Sequence, residues 1–311
     1  MNKVLITGCS GFLGSFLIDL LETEGTGDIY GFTEVMEFNS SKLKVYHVDI
    51  RERDGIFTVI EAVKPDLVFH LAAVSNVGFS WKNQELTYEI NFIGSSNLFE
   101  ALSMFSPHCR VLLMSSAELY VASQGSLMNE SSPTSARNPY ALSKFAMEMV
   151  GDLYIQSMNM DVIKLRSFNF TGPGQDKKFV ASDFSLQIAE IEKGKREPVI
   201  RVGNLSAVRD ISDVRDIARY LTVIAREGKK GRIYNLCSGR TYSIRELLDI
   251  LLSLSTKKID IVEDKARLRP IDVPRLAGDN RLIRETFNLH PEYKIEQTLS
   301  DLLNYWRERV R

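Results

Sequence analysis

Tyr140 and Lys144 stand four residues apart in Asn138-Pro139-Tyr140-Ala141-Leu142-Ser143-Lys144, a spacing that puts a phenol and an ammonium on one face of a helix. Asn138 can cap that helix, and Pro139 suits its first turn, where a missing N–H loses no intrahelical partner. A free tyrosine ionises near pH ~10, so readying one for proton transfer at neutrality takes about 4 kcal/mol of electrostatic help. A lysine one turn away is a natural source. Such a pair also arises by chance in a chain of this size, so the elements around it decide whether it is chemistry.

Short apolar runs recur with helix-like spans between most of them: Val4 to Thr7, Ile29 to Phe32, Val45 to Val48, Leu67 to His70, Val111 to Met114 and Val162 to Leu165. That alternation predicts an α/β fold, a doubly wound parallel sheet buried on both faces. No good helix separates Ile29 to Phe32 from Val45 to Val48, so that crossover is expected to be irregular. After Asn169 the regularity loosens, and Thr171-Gly172-Pro173-Gly174 is a turn signal. Residues 169–311 are expected to form a smaller, discontinuous mixed α/β domain, with 208–235 returning to the first domain, 1–168. Leu299, Leu302, Leu303, Trp306 and Val310 share a helical face and read as packing.

Length allows two domains, and a 44% hydrophobic content gives each a core. The net charge of −1 is spread along the chain and recommends neither nucleic acid nor a membrane surface as partner. Cys9, Cys109 and Cys237 are odd in number, far apart and without metal-ligand spacing. They read as buried side chains in a reducing cytoplasm, the expected location, with no metal bound. Gly8, Gly11 and Gly14 interrupt the apolar N-terminus before a signal-peptide core can form.

Thr7-Gly8-Cys9-Ser10-Gly11-Phe12-Leu13-Gly14 follows the first strand and opens the first helix. Glycines there permit a tight turn and close approach of backbone to a pyrophosphate, while the helix N-terminus presents free N–H groups. Dinucleotide binding through Gly8, Ser10, Gly11, Phe12, Leu13 and Gly14 follows, and the first domain is expected to be Rossmann-like. At the ribose end, Glu34 lies twenty residues past Gly14, and no Lys or Arg occurs between Lys3 and Lys42, which leans towards NAD(H) over NADP(H). Arg51, Arg53, Thr33 and Ser40 are the groups that would serve a 2′-phosphate instead.

The Gly-x-x-Gly-x-x-Gly spacing resembles the short-chain dehydrogenase/reductase superfamily. Asp49-Ile50 resembles its adenine-binding pair, and His70-Leu71-Ala72-Ala73 the loop beside the cofactor ribose, so the resemblance assigns Asp49, Ile50, Leu71, Ala72 and Ala73 to the cofactor. His70 reads as a structural histidine. In the extended branch the catalytic Ser or Thr lies four residues before a tyrosine, which matches Ser116 and Tyr120 in Ser115-Ser116-Ala117-Glu118-Leu119-Tyr120. That stretch ends a strand, where doubly wound sheets place their chemistry. The resemblance implies that Tyr140 protonates a developing alkoxide and Ser116 hydrogen-bonds it. Lys144 holds the ribose and lowers the Tyr140 pKa. Glu118 matches the C5 base of sugar-nucleotide dehydratases in this branch, yet Ala117 stands where some of them carry an acid. A surface or structural glutamate is the alternative.

Arg166-Ser167-Phe168-Asn169-Phe170-Thr171-Gly172-Pro173-Gly174-Gln175 resembles the branch's junction between cofactor and substrate domains, placing Asn169 near a substrate, and Ser75 is expected to bind the substrate too. Segments 203–216 and 267–274 resemble its diphosphate-binding stretches, where Arg209 and Arg269 would each hold two oxygens. Pairing with Asp210 or Asp213 is the alternative for Arg209, and Arg215 is expected to pair with neighbouring aspartates. Within the branch the chain looks most like GDP-6-deoxy-4-keto-mannose reductases, which form GDP-rhamnose. Val121, where a glycine commonly follows the motif tyrosine, departs from that pattern.

The expected reaction is therefore NAD(P)H-dependent reduction of a 4-keto group on a GDP-linked 6-deoxyhexose. A GDP-mannose-type 4,6-dehydratase and a 4-epimerase are the nearest alternatives, and a non-catalytic dinucleotide sensor is the alternative of another class. A homodimer is expected from the family habit of pairing the helix after Tyr140 with the one containing Asn91. Phe92, Leu98, Phe99, Leu102, Phe145, Met149 and Leu153 offer apolar material for that contact or for the core.

Overall fold

The computed structural model describes residues 3–121, 126–267 and 273–311. Its large sheet has seven strands: β1 (Lys3–Thr7), β2 (Asp28–Thr33), β3 (Lys44–His47), β4 (Leu67–His70), β5 (Arg110–Ser116), β6 (Asp161–Ser167) and β10 (Ile233–Leu236). They run in the order β3-β2-β1-β4-β5-β6-β10, and every pairing is parallel. The six expected runs are the first six of these strands, and no helix bridges β2 to β3.

The strands alternate between two cores, because successive side chains point to opposite faces. Val4, Ile6, Leu112 and Met114 face α1 (Phe12–Thr23), α8 (Val214–Glu227) and α10 (Arg281–Phe287). Leu5, Val111 and Leu113 face α2 (Arg53–Val63), α5 (Gly94–Phe105) and α6 (Pro139–Met158). Two short helices, α3 (Val77–Lys82) and α4 (Gln84–Tyr88), and a π-helical turn (Glu89–Ile93) lead into α5. Leu98, Phe99 and Leu102 lie wholly inside the second core, whereas Phe92, Met149 and Leu153 are exposed.

A second unit packs α7 (Val180–Glu192), α9 (Ile244–Ser253) and α11 (Ile295–Arg309) around Ile200, Val202 and Ile211. Leu299, Leu302 and Leu303 are buried there, with Trp306 and Val310 packed against them. Its sheet centres on β9 (Val208–Asp213), which pairs with β7 (Asn169–Thr171), β11 (Thr241–Ser243) and β13 (Arg275–Leu276). The strands β8 (Val199–Val202) and β12 (Asp260–Glu263) pair separately. The return expected over 208–235 therefore begins only at Val214. The strand β9 stays with the small sheet, while α8 and β10 rejoin the large one, and α10 adds a second return. No helix among the described residues is long and apolar enough to cross a membrane.

Candidate active site

The C-terminal ends of β1, β2, β4, β5 and β6 open into a groove made of two cavities that meet at Gly8, Gly11, Leu71 and Ala73. The outer cavity, about 260 Å³, is lined by Ser10, Thr33, Glu34, Asp49, Ile50 and Ala72 among others. The inner one, about 250 Å³, is lined by Phe12, Leu13, Gly14, Ser75, Ser116, Glu118, Tyr140, Lys144 and Asn169 among others. Residues far apart in sequence thus come together on one groove.

The glycine turn is built for close approach. A Cβ on Gly14 would stand 2.6 Å from the Gly8 carbonyl oxygen, so only glycine lets the α1 start pack against the turn. Gly11 caps α1 without a side-chain hydrogen bond, which leaves the first-turn N–H groups for a ligand. These features fit a dinucleotide pyrophosphate.

Behind the turn, His70 is buried. Ser95 donates to the Asn91 carbonyl (2.5 Å), so its oxygen accepts from His70 Nε2 (2.8 Å). Thr7 then donates to Nδ1 (2.7 Å) and accepts from the Ala72 N–H (3.1 Å). Burial and the nearby Lys144 push the imidazole down to about 3, so it is neutral and structural. Asn91 clamps both backbone groups of Val74 and donates to Ser143 on α6 (2.8 Å).

At the ribose end Glu34 is exposed on the rim of the outer cavity. Arg51 is held by Asp49 (3.0 Å) and Glu89 (3.3 Å), which keeps the Asp49 carboxyl below its usual range. Arg53 pairs with Glu100 (2.6 Å). Exposed pairs of this kind are worth about 1 kcal/mol at most, so Arg51 remains recruitable by a phosphate.

Asn138 caps α6 by accepting from the Ala141 N–H (2.7 Å), with Pro139 in the first turn. The Tyr140 phenol and the Ser116 hydroxyl line the same cavity, while the Asn138 amide donates to Glu118 (3.4 Å). Here the structure differs from the sequence expectation for Tyr140. Burial pushes the phenol up to about 12, only partly offset by Ser116 and reinforced by the Glu118 charge. The same burial pulls Lys144 down to about 7, and its amine donates to the Met114 carbonyl (2.8 Å). With no strong cation at its side, the phenol keeps its proton at neutral pH.

Of the diphosphate candidates, Arg209 is buried and its Nη1 donates to the Val208 (2.9 Å) and Val273 (2.7 Å) carbonyls. Arg269 lies outside the described residues. Arg215 pairs with Asp213 (2.7 Å) and Asp301 (2.9 Å), as expected. The inner cavity also takes in Phe170, Gln175, Phe179 and Leu276. Gln175 stood in the junction motif, whereas nothing local marked Leu276.

The family model described as GDP-mannose 4,6 dehydratase matches residues 5–302. A GDP-6-deoxy-D-mannose reductase of Pseudomonas aeruginosa is 31% identical, over 100% of this chain and 99% of its own. A GDP-6-deoxy-D-talose 4-dehydrogenase of Aggregatibacter actinomycetemcomitans is 29% identical, over 89% of this chain and 88% of its own. Among solved structures, RMD from Pseudomonas aeruginosa complexed with NADPH superposes with a TM-score of 0.85 at 28% identity, covering 100% of both chains. On these matches and this groove, the chain belongs to the GDP-mannose 4,6-dehydratase family of extended, NAD(P)-dependent short-chain dehydrogenases/reductases.

Proposed function

We propose that the protein is a reductase acting on the 4-keto group of a nucleotide-linked 6-deoxyhexose, converting GDP-4-keto-6-deoxy-D-mannose to GDP-D-rhamnose. The observation that carries this reading is the Tyr140 phenol: buried, pushed up to about 12 so that it keeps its proton at neutral pH, and lining the inner cavity together with Ser116. A bound NADH or NADPH supplies the hydride. Tyr140 gives its proton to the alkoxide forming at C4, and Ser116 donates a hydrogen bond to the same oxygen. Lys144 holds the ribose in the groove, and Gly8, Gly11 and the α1 N-terminus hold the pyrophosphate. Ser75 and Asn169 face the sugar and Arg209 meets the diphosphate; a diphosphate role for Arg269 rests on its sequence motif alone. The names of the two GDP-6-deoxy-sugar relatives support the substrate class.

A 4,6-dehydratase is the second reading, favoured by Glu118 on the inner cavity, where it is a placed base. Ala117 beside it is wholly buried and holds no proton to give, so the acid that some dehydratases carry there is absent. The deciding assay mixes the protein with the keto sugar and with NADH or NADPH in parallel. One reduced cofactor is expected to be consumed per sugar, with NADH preferred because Glu34 meets the ribose. Turnover of GDP-mannose with no net change in cofactor would replace the reductase by the dehydratase.

We further infer a homodimer in a reducing cytoplasm, in keeping with three buried cysteines in no disulfide. Phe92 and Ile93 on the π-helical turn before α5, and Leu142, Met149 and Leu153 on α6, expose apolar surface, and covering it removes that surface from water. Sedimentation at micromolar concentration is expected to give twice the chain mass. A monomer at every concentration would rule the dimer out.

A further inference from the structure

Behind the groove lies a buried ion pair that the reaction above does not use. Glu148, 2% exposed, accepts from Arg166 through both of its oxygens (2.9 and 2.8 Å) and from the Ser115 hydroxyl (2.5 Å). Replacing a buried ion pair by apolar side chains of similar volume is often neutral or stabilising, so its presence asks for a reason other than stability. Its connections supply one.

Glu148 sits one helical turn beyond Lys144, which sits one turn beyond Tyr140, and all three are on the buried face of α6. Ser115 lies between Met114, whose carbonyl takes the Lys144 amine, and Ser116, which shares the inner cavity with Tyr140. The far side of Arg166 lies on the Tyr120 ring (4.9 Å), and the Tyr120 hydroxyl donates to Asn235 on β10 (2.7 Å). One carboxylate thus ties α6, β5 and β6 together at the residues that carry the chemistry.

The charges facing Lys144 come from each element packed on it. On β4 is His70, neutral by its hydrogen bonds. After β5 is Glu118, which acts on Tyr140. On β6 is Arg166, a cation tied to Glu148. On α6 are Tyr140, protonated, and Glu148, whose charge opposes the burial that strips Lys144 of its proton. Farther along α6, Asp152 is taken by Lys164.

We propose that Glu148 is a positioning residue for the cofactor groove: locked by Ser115 and Arg166, it sets a negative charge one turn beyond Lys144 and holds α6 so that the Lys144 amine is directed towards the strand end where a ribose is held. The proposal rests on the cofactor half of the function above and not on the identity of the sugar.

The test titrates Lys144 by its side-chain ¹³Cε resonance in cofactor-free protein, assigned with Lys144→Arg. In parallel, NADH and NADPH dissociation constants are measured between about pH 6 and about pH 9. In Glu148→Gln the Lys144 midpoint is expected to fall by about one pH unit or more, since a nearby opposite charge moves a pKa by about that much. Cofactor affinity above the midpoint should fall about tenfold with it. Glu148→Asp keeps the charge and is expected to keep the wild-type midpoint.

Because Glu148→Gln strands a buried guanidinium, the double variant Glu148→Gln with Arg166→Met removes both charges and guards against misfolding. Its midpoint is expected between those of Glu148→Gln and the wild type. A wild-type midpoint in the double variant, or in a folded Glu148→Gln, would overturn the proposal and leave the pair a packing feature. Neither measurement contains a sugar, so a failed reductase assay and a failed titration are separate results.

Discussion

Replacing Tyr140 by Phe is expected to lower kcat for keto-sugar reduction about a thousandfold, within the range that a positioned general acid contributes. The ring stays: it is 7% exposed and packs at the start of α6, so the helix and the groove persist. The loss is one hydroxyl, and Ser116 on the same cavity still accepts from the Glu118 N–H (3.2 Å). A structural cost of about 1 kcal/mol follows, too little to explain a thousandfold fall. Cofactor affinity is therefore expected to stay within about threefold, because Lys144 and the glycine turn are untouched. The pH dependence separates the two groups. Reduction needs Tyr140 protonated, and with the phenol at about 12 its proton is present across the neutral range. Lys144, at about 7 before cofactor binds, loses its charge first as pH rises. The alkaline fall of wild-type kcat/KM thus belongs to Lys144, and the same fall should remain in the cofactor affinity of Tyr140→Phe. Steady-state rates and a fluorescence titration of cofactor check both. A variant with a tenth of wild-type kcat would remove Tyr140 as the proton donor.

The parts of this site legible in the sequence are those whose cause is local. Strand runs, the glycine turn and the Asn138-Pro139 helix start depend on a few adjacent residues, and all appear where their spacing puts them. Ser116, Tyr140 and Lys144 converge because a strand end and a helix start are fixed by such signals. Other features depend on tertiary burial. An arginine in a motif shows its charge but not which carbonyls it meets, and Arg209 donates to those of Val208 and Val273. Leu98, Phe99 and Leu102 look the same in a string whether they face a partner or the core; they face the core. The Lys144 and Tyr140 side chains sit four apart as expected, but their proton affinities follow from burial, which spacing does not encode. Glu148, on α6, escaped notice for the same reason: its partners Ser115 and Arg166 belong to two strands, β5 and β6.

The second large effect is expected at Gly8, where Gly8→Ala should weaken NADH and NADPH binding about a hundredfold or more. Two causes add. Gly8 holds φ at +70°, a conformation that costs a residue with a Cβ about 1–2 kcal/mol. A Cβ there would also stand 2.8 Å from the Ala72 nitrogen, a backbone atom with no rotamer to escape into. Ala72 must therefore move, and its N–H anchors the Thr7, His70, Ser95 and Asn91 chain that reaches Val74 and Ser143. The strain thus reaches both cavities of the groove, and displacements of about 1 Å can cost a hundredfold in such sites. Gly11 is the control. Its φ is −76° and an added Cβ finds only the Gly8 carbonyl, at 3.1 Å, so Gly11→Ala is expected to bind within about tenfold of wild type. Fluorescence titration on the two purified variants, each checked for a cooperative unfolding transition, measures the difference. If folded Gly8→Ala binds as tightly as wild type, the pyrophosphate does not lie against this turn, and the groove must be occupied in another way.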